Sequence, residues 1–270
     1  MTKLVNDIKR GDLANCIVLH DFTIKKPNLK KWTEYVAEFF SKYEIIPTKI
    51  GGHRRNATKY VNINNGIRFL EANNYDTDHI SMVALPPKYN SNDLYCAIFS
   101  SLISMRPDNT QCTYLTFDNK IVEFDTKMID QLALDLIKLT GARYGYGFQR
   151  LFSKVVGYEW GALSGLEYGH PERKYITKWM DVYAPKGAYK TGYFRDIYPV
   201  NIISKEHLAN IVEPGKFFSR KKNLSEWISA NKKRGNLVKL SKNHWSWHVE
   251  PNNIEYVRES LRHTGIVLCI

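Results

Sequence analysis

Tyr193-Phe194-Arg195-Asp196-Ile197-Tyr198-Pro199-Val200-Asn201-Ile202-Ile203, followed by Ser204-Lys205-Glu206-His207-Leu208, is the densest run of structure-specifying residues in the chain. Pro199 fixes its own φ and pushes Tyr198 toward an extended conformation. Val200, Ile202 and Ile203 form an apolar run, and Ser204 is a favourable N-cap for a short helix predicted to reach Val212. An extended, aromatic-rich segment therefore runs into a capped helix. Arg195 and Asp196 lie inside it, where a buried charge is tolerated only when paired. Two readings follow: a structural ion pair that locks a corner of the core, or recognition of a partner or substrate.

Downstream, residues 216–242 hold nine Lys or Arg against the single Glu226. Phe217, Phe218, Leu224, Trp227 and Ile228 supply an apolar counter-face, and Asn223-Leu224-Ser225-Glu226-Trp227 has the pattern of a short capped helix. Gly235-Asn236 leads into Leu237–Leu240 and Trp245–Val249, which read as a β-hairpin. A last helix carries Ile254, Val257 and Leu261 and stops at Gly265. The tail Ile266–Ile270 reads as a terminal strand.

Upstream, Met128, Ile129, Leu132, Ala133, Leu136, Ile137 and Leu139 recur at helical spacing, with Gly141 as C-cap. Arg143-Tyr144-Gly145-Tyr146-Gly147-Phe148-Gln149-Arg150 then alternates glycine with aromatics. The pattern predicts a central strand whose glycines admit a helix or another strand; the other reading is aromatic platforms beside Arg143 and Arg150 for nucleic acid. Residues 153–192, with Gly157, Gly161, Gly165 and Gly169 at four-residue intervals, read as an irregular excursion over a sheet edge or a binding surface.

The first half begins with a polar lead-in over residues 1–14, then a buried strand from Cys16 through Phe22 to Ile24. Pro27 and Asn28 start a helix with Leu29, Trp32, Val36, Phe39, Phe40 and Tyr43 on one face. A short strand ends at Gly51-Gly52, and GGHRRN at 51–56 reads as a basic loop before a helix carrying Val61, Ile63, Ile67 and Leu70. Strands over 80–85, 94–105, 112–117 and 121–124 form an antiparallel meander. The fold class expected is α+β: a mixed, largely antiparallel sheet with packed amphipathic helices. Residues 1–125 and 126–270 are expected as two closely packed halves, able to form one domain.

Lys plus Arg number 39 and Asp plus Glu 27, a net charge of +12 that favours acidic partners or nucleic acid. Cys16, Cys96, Cys112 and Cys269 form no CxxC pair and read as reduced thiols of a cytoplasmic protein. The first residues lack the apolar stretch of a signal peptide. No run approaches ~20 apolar residues, so no transmembrane helix is expected. GxSxG, HExxH and Walker motifs are missing, and Glu-Phe-Asp-Thr-Lys at 123–127 is only a distant match to a nuclease pattern. In a strand, His244 and His248 share a face roughly 13 Å apart, too far for one metal. Neither a cofactor nor a metal is expected, and the residues favour binding over catalysis.

From about residue 126 to its end the chain resembles bacterial immunity proteins of polymorphic-toxin and type VI secretion systems. The resemblance is carried by the helix at 127–140, the YGYGF strand at 144–148, the run Tyr193–Leu208, the basic hairpin and the final helix ending in Gly265-Ile266-Val267-Leu268. It implies an α+β, non-catalytic protein that binds a toxin made by the same or a neighbouring cell. The positive charge departs from what a basic nuclease toxin would require, and points to an acidic partner. Candidate binding residues are Arg143, Arg150, Arg195, Asp196, Lys221, Lys222, Trp227, Lys232, Lys233 and Arg234. The alternative is a nucleic-acid-binding protein, or a nuclease, of a defence or mobile-element system.

Overall fold

The computed structural model describes residues 12–52, 59–86, 97–105, 111–151, 187–213 and 221–268. The order of elements is β1 (Leu13–Phe22), α1 (Leu29–Lys42), β2 (Lys49–Gly52), β3 (Lys59–Asn62), α2 (Ile63–Ala72), β4 (His79–Ala84), β5 (Phe99–Ser104), β6 (Cys112–Asp118), α3 (Thr126–Thr140), β7 (Ala142–Leu151), β8 (Val200–Ser204), α4 (Lys205–Ala209), β9 (Ile211–Glu213), β10 (Lys222–Asn223), α5 (Leu224–Ser229), β11 (Asn236–Lys239), β12 (His244–His248) and α6 (Ile254–Arg262). This is an α+β fold. Its main sheet runs β11-β12-β8-β7-β1-β6-β5-β4-β2-β3, and β9 pairs with β10 apart from it. Every ladder between the described strands is antiparallel.

Because side chains alternate across a strand, a central strand must be apolar on both faces when both are covered. In β1, Ile17 and Leu19 join the core formed with α1 and α3, through Trp32, Val36, Phe40, Ile129 and Leu136. Cys16 and Val18 join the opposite core, with Phe194, Tyr198, Trp227, Val257 and Leu261. Strands from both sides of residue 125 belong to this one sheet, joined where β1 pairs with β7.

Local signals set the helix ends. Asn28 caps α1 by accepting from the Lys31 amide at 3.0 Å, and the Trp32 indole donates to Thr113 Oγ1 on β6 at 3.0 Å. Asp125 caps α3 at its start, and Gly141, at φ 69°, ends it. The β7 glycines behave as the sequence predicts. A Cβ at Gly145 would lie 2.4 Å from the Val18 carbonyl oxygen of β1, and one at Gly147 would lie 2.6 Å from an Ile129 methyl of α3. The Pro199 corner is clamped by buried Asn201. Its Nδ2 donates to the Tyr198 carbonyl at 2.7 Å and to the Trp247 carbonyl at 3.1 Å.

Several expectations need correction. The segment 121–124 is a turn, because the amides of Ile121 and Val122 both bond back to the Asp118 carbonyl. The helix after Ser204 ends at Ala209, and Val212 lies in β9, where the β-branched pair Ile211-Val212 finds β10 as partner. Val61 lies in β3 opposite Ile50, with Asn62 capping α2. Leu13 and Ala14 belong to β1, whereas Ile24 lies beyond its end. Strand β5 begins only at Phe99. In the tail, Val267 makes one parallel bridge to Phe194. Cys16 and Cys112 are buried. The segment 53–58, Cys96, the glycines of 157–169, Lys216, Phe217, Phe218, Arg220 and Cys269 lie outside the described residues.

Leu136 is fully buried and Leu132 is 4 % exposed, both against the sheet. Replacing either with Ala is expected to cost about 2–5 kcal/mol in urea unfolding. Losses below ~0.5 kcal/mol at both positions would contradict this packing.

Candidate functional site

The basic segment is organised by one carboxylate. Glu213 on β9 faces Lys222 on β10, and Lys222 Nζ reaches Glu213 Oε2 at 2.7 Å. Arg234 Nη2 approaches the other oxygen at 3.8 Å. The hydrogen bond from Lys222, with the charge of Arg234 behind it, holds the Glu213 carboxyl below its usual range. Lys222 and Arg234, twelve residues apart within the basic segment, thus meet on a single anion.

Between them, α5 is capped reciprocally: the Asn223 side chain accepts from the Glu226 amide at 2.9 Å and the Glu226 carboxylate accepts from the Asn223 amide at 3.2 Å. This box orients Trp227 into the core, where it is 2 % exposed. Arg234 lies over the indole, 4.1 Å from the ring centroid, and donates to the Trp227 carbonyl at 2.9 Å. The Trp247 indole in turn donates to the Arg234 carbonyl at 2.7 Å. Gly235 then turns the chain into β11 at φ 91°, where a Cβ would meet the His248 carbonyl oxygen at 1.9 Å. Asn231 caps the intervening 3₁₀ turn Lys232–Arg234. Lys221, Lys232 and Lys233 are left exposed and Lys222 half-buried, as ammonium groups on a firmly fixed ridge. Trp227 supports this ridge from below and offers no face for a stacked base.

Arg195 and Asp196 are buried, at 2 % and 7 % exposure, and reach partners on different elements. Asp196 receives Arg258 of α6 through both carboxylate oxygens, at 2.7 and 2.6 Å, together with the Ile197 amide at 2.7 Å. Arg195 donates from Nη1 to the Tyr146 hydroxyl at 2.7 Å, and its amide donates to the Tyr144 hydroxyl at 2.8 Å. A guanidinium can only donate, so Tyr146 accepts from it, and the same hydroxyl lies within hydrogen-bond distance of His20 Nε2, at 3.2 Å. Tyr146 stacks on Tyr198 at 4.2 Å, and Tyr144 stacks on His207 at 5.3 Å. Burial first, then the charge of Arg195, pushes the His20 imidazole down to about 3. Burial likewise lowers His207 to about 4. The same burial raises the Tyr144 phenol well above its ordinary value.

The two arginines of β7 are far apart. Arg143 donates to Asp21 at 2.6 Å, and Asp21 holds a left-handed φ of 61°. Arg150 lies 5.9 Å from the Phe148 ring. An odd separation of seven residues puts them on opposite faces of the strand, roughly 23 Å apart at ~3.3 Å per residue. His248 contacts Asp130 of α3 at 3.0 Å, while Trp247 points to the opposite core. Among the described residues, no group of three or more His, Cys, Asp or Glu is placed to hold a metal ion.

The structure therefore gathers Lys221, Lys222, Trp227, Lys232, Lys233 and Arg234 in one region, places Arg195 and Asp196 in the core, and separates Arg143 from Arg150. Sequence reasoning missed Glu213, His20 and Arg258. Glu213 carried a signal, as the last carboxylate before the basic run; His20 and Arg258 are distant in sequence from the groups they meet.

No protein-family model matches the chain, and no curated protein sequence does. Its fold is similar to that of the Pseudomonas aeruginosa T6SS protein PA0821, with a TM-score of 0.55 and 12 % identity, over 95 % of this chain and 73 % of that one. At that identity the likeness is one of fold. No helix among the described residues is long and apolar enough to cross a membrane.

The buried histidines generate a pH dependence. Unfolded, each titrates near ~6.5 and takes up a proton as pH falls; folded, each stays neutral to about 3 and about 4. Their contribution to stability is complete above ~6.5 and is lost as pH falls through that value toward the folded pKa. The slope is at most about 1.4 kcal/mol per pH unit for each. Urea unfolding at about pH 7.5 and about pH 5 is expected to show this loss, and His20→Gln to remove about half of it. An equal loss in the variant and the wild type would contradict the assignment.

Proposed function

We propose that this chain is a non-enzymatic binding protein, an immunity protein that neutralises a bacterial toxin, and that it engages an acidic surface of that toxin through the ridge of Lys221, Lys222, Lys232 and Lys233. The observation that carries the reading is the construction of the ridge. Glu213, the Trp227–Arg234 stack and the Asn223–Glu226 box hold it rigid, yet leave Lys221, Lys232 and Lys233 exposed. Rigid, like-signed charge on a surface steers an acidic partner and fixes its register. The fold likeness to a T6SS protein supports a setting in which toxins and their inhibitors occur. A protein partner is favoured over nucleic acid because Trp227 is buried beneath Arg234, where no base can reach it.

The test is co-expression with each product of the neighbouring genes that arrests growth when expressed alone. Wild type is expected to restore growth and to bind the toxin. Lys232→Glu with Lys233→Glu should slow association by about tenfold or more while changing dissociation little, as for rim charges. Unchanged association would contradict the ridge. Tight binding of DNA or RNA at physiological salt, lost in the same variant, would move the nucleic-acid reading to first place.

A further inference from the structure

The opposite face of the sheet carries a second surface of the other sign. Helices α1 and α3, both packed on that face, leave a groove of about 730 Å³ between them. Its floor is apolar, with Phe39 and Leu132 buried and Met128 half-buried. The Tyr43 hydroxyl reaches across from α1 to the Met128 sulfur at 3.9 Å, which ties the two walls together.

Its rim is anionic. Glu38, Glu123, Asp125 and Asp135 line it, with Lys42 the one cation among the described lining residues. That balance is the reverse of a chain with a net charge of +12. Asp135 is held by Gln131 and Lys138, both at 2.9 Å, and Asp125 caps α3. Glu38 and Glu123 are exposed, and no ion pair to a described residue neutralises either. Lys42 leans over the Tyr43 ring, 5.9 Å from its centroid. Burial first, then the charges of Asp135 and Glu38, push the Tyr35 phenol up.

We propose that this groove is a docking site for a basic, partly apolar segment of a partner protein, with the stem of a Lys or Arg laid across Phe39 and Leu132 and its cation set between Glu38 and Asp135. Long cationic side chains bury the stem on apolar surface and hold the charge at its edge, which matches a floor and rim of this kind. The carboxylates repel nucleic acid, and the volume accommodates a peptide segment rather than a single ion. Because the groove and the lysine ridge lie on opposite faces of the sheet, the inference stands independently of the toxin reading.

The test uses the full chain and fluorescein-labelled peptides of roughly a dozen residues, one of Lys and Leu and one of Glu and Leu, followed by anisotropy at physiological salt. The Lys peptide is expected to bind saturably, with amide NMR shifts confined to residues 35–43 and 122–135. Glu38→Lys with Glu123→Lys should weaken binding by about tenfold or more, and Glu38→Gln with Glu123→Gln by less, as fits charge pairing at an interface. Lys232→Glu with Lys233→Glu should leave it intact or strengthen it. Both glutamates are exposed, so an unchanged melting temperature confirms the fold of each variant. Failure of the Lys peptide to bind, equal binding of the Glu peptide, or indifference to the glutamate changes would overturn the proposal. So would NMR shifts at the same residues with spermidine alone at comparable affinity, which would make a free polyamine the occupant. Self-association abolished by Glu38→Lys with Glu123→Lys would make the occupant a second copy of this chain.

Discussion

The ladder between β1 and β7 is the contact on which the rest of the structure depends. It runs from Leu13 opposite Leu151 to Phe22 opposite Ala142, and β1 pairs with β6 on its other side. The earliest described strand is thereby fixed in the middle of the sheet by strands far along the chain. Such long-range pairing is entropically costly to form and is specified by which side chains face which core. In β7 the alternation has a clear physical content. Gly145 and Gly147 keep the helical face thin, so that Leu19 and Ile129 can press on the backbone. Tyr144 and Tyr146 fill the other face with phenols that receive Arg195.

This arrangement divides the charged residues into two roles. Those in the core have their hydrogen bonds met within the fold. Asp196 is met by Arg258, and the Arg195 guanidinium by the Tyr146 hydroxyl, because a buried charge without such bonds would cost several kcal/mol. On the surface, two regions are dominated by one sign each: a lysine ridge over α5 and β10 on one face and a carboxylate-rimmed groove between α1 and α3 on the other. A chain of this kind presents two fixed and opposite electrostatic surfaces on one rigid sheet.

Much of the architecture could be read from residues. Helices α1 and α3, the hairpin β11–β12, the glycine-aromatic strand and the capped α5 all follow from periodicity and capping signals that act within a few residues. Two misplacements occurred where a tertiary partner overrode a local signal, whereas 121–124 turns through local bonds to Asp118. Val61 and Val212 sit beside helix starts and stops, yet each found a strand to pair with, Ile50 on β2 and the short β10. The site was less legible for the same reason. Arg195 and Asp196 adjoin in sequence and looked like a pair, but their partners come from β7 and α6. The groove was invisible to sequence reasoning because its walls are contributed by helices some ninety residues apart, brought together only by the sheet.

Native-state hydrogen exchange tests most directly whether the Arg195–Asp196 cluster belongs to the fold and leaves recognition to the surface. The Arg195 amide, bonded to the Tyr144 hydroxyl, and the ladder amides of Tyr144 and Tyr146 are the probes. The account predicts that they exchange only through global unfolding, with an opening free energy and denaturant dependence matching those of urea denaturation. Exchange of Arg195 through a low-energy local opening, insensitive to denaturant, would contradict it and return that cluster to the list of recognition sites.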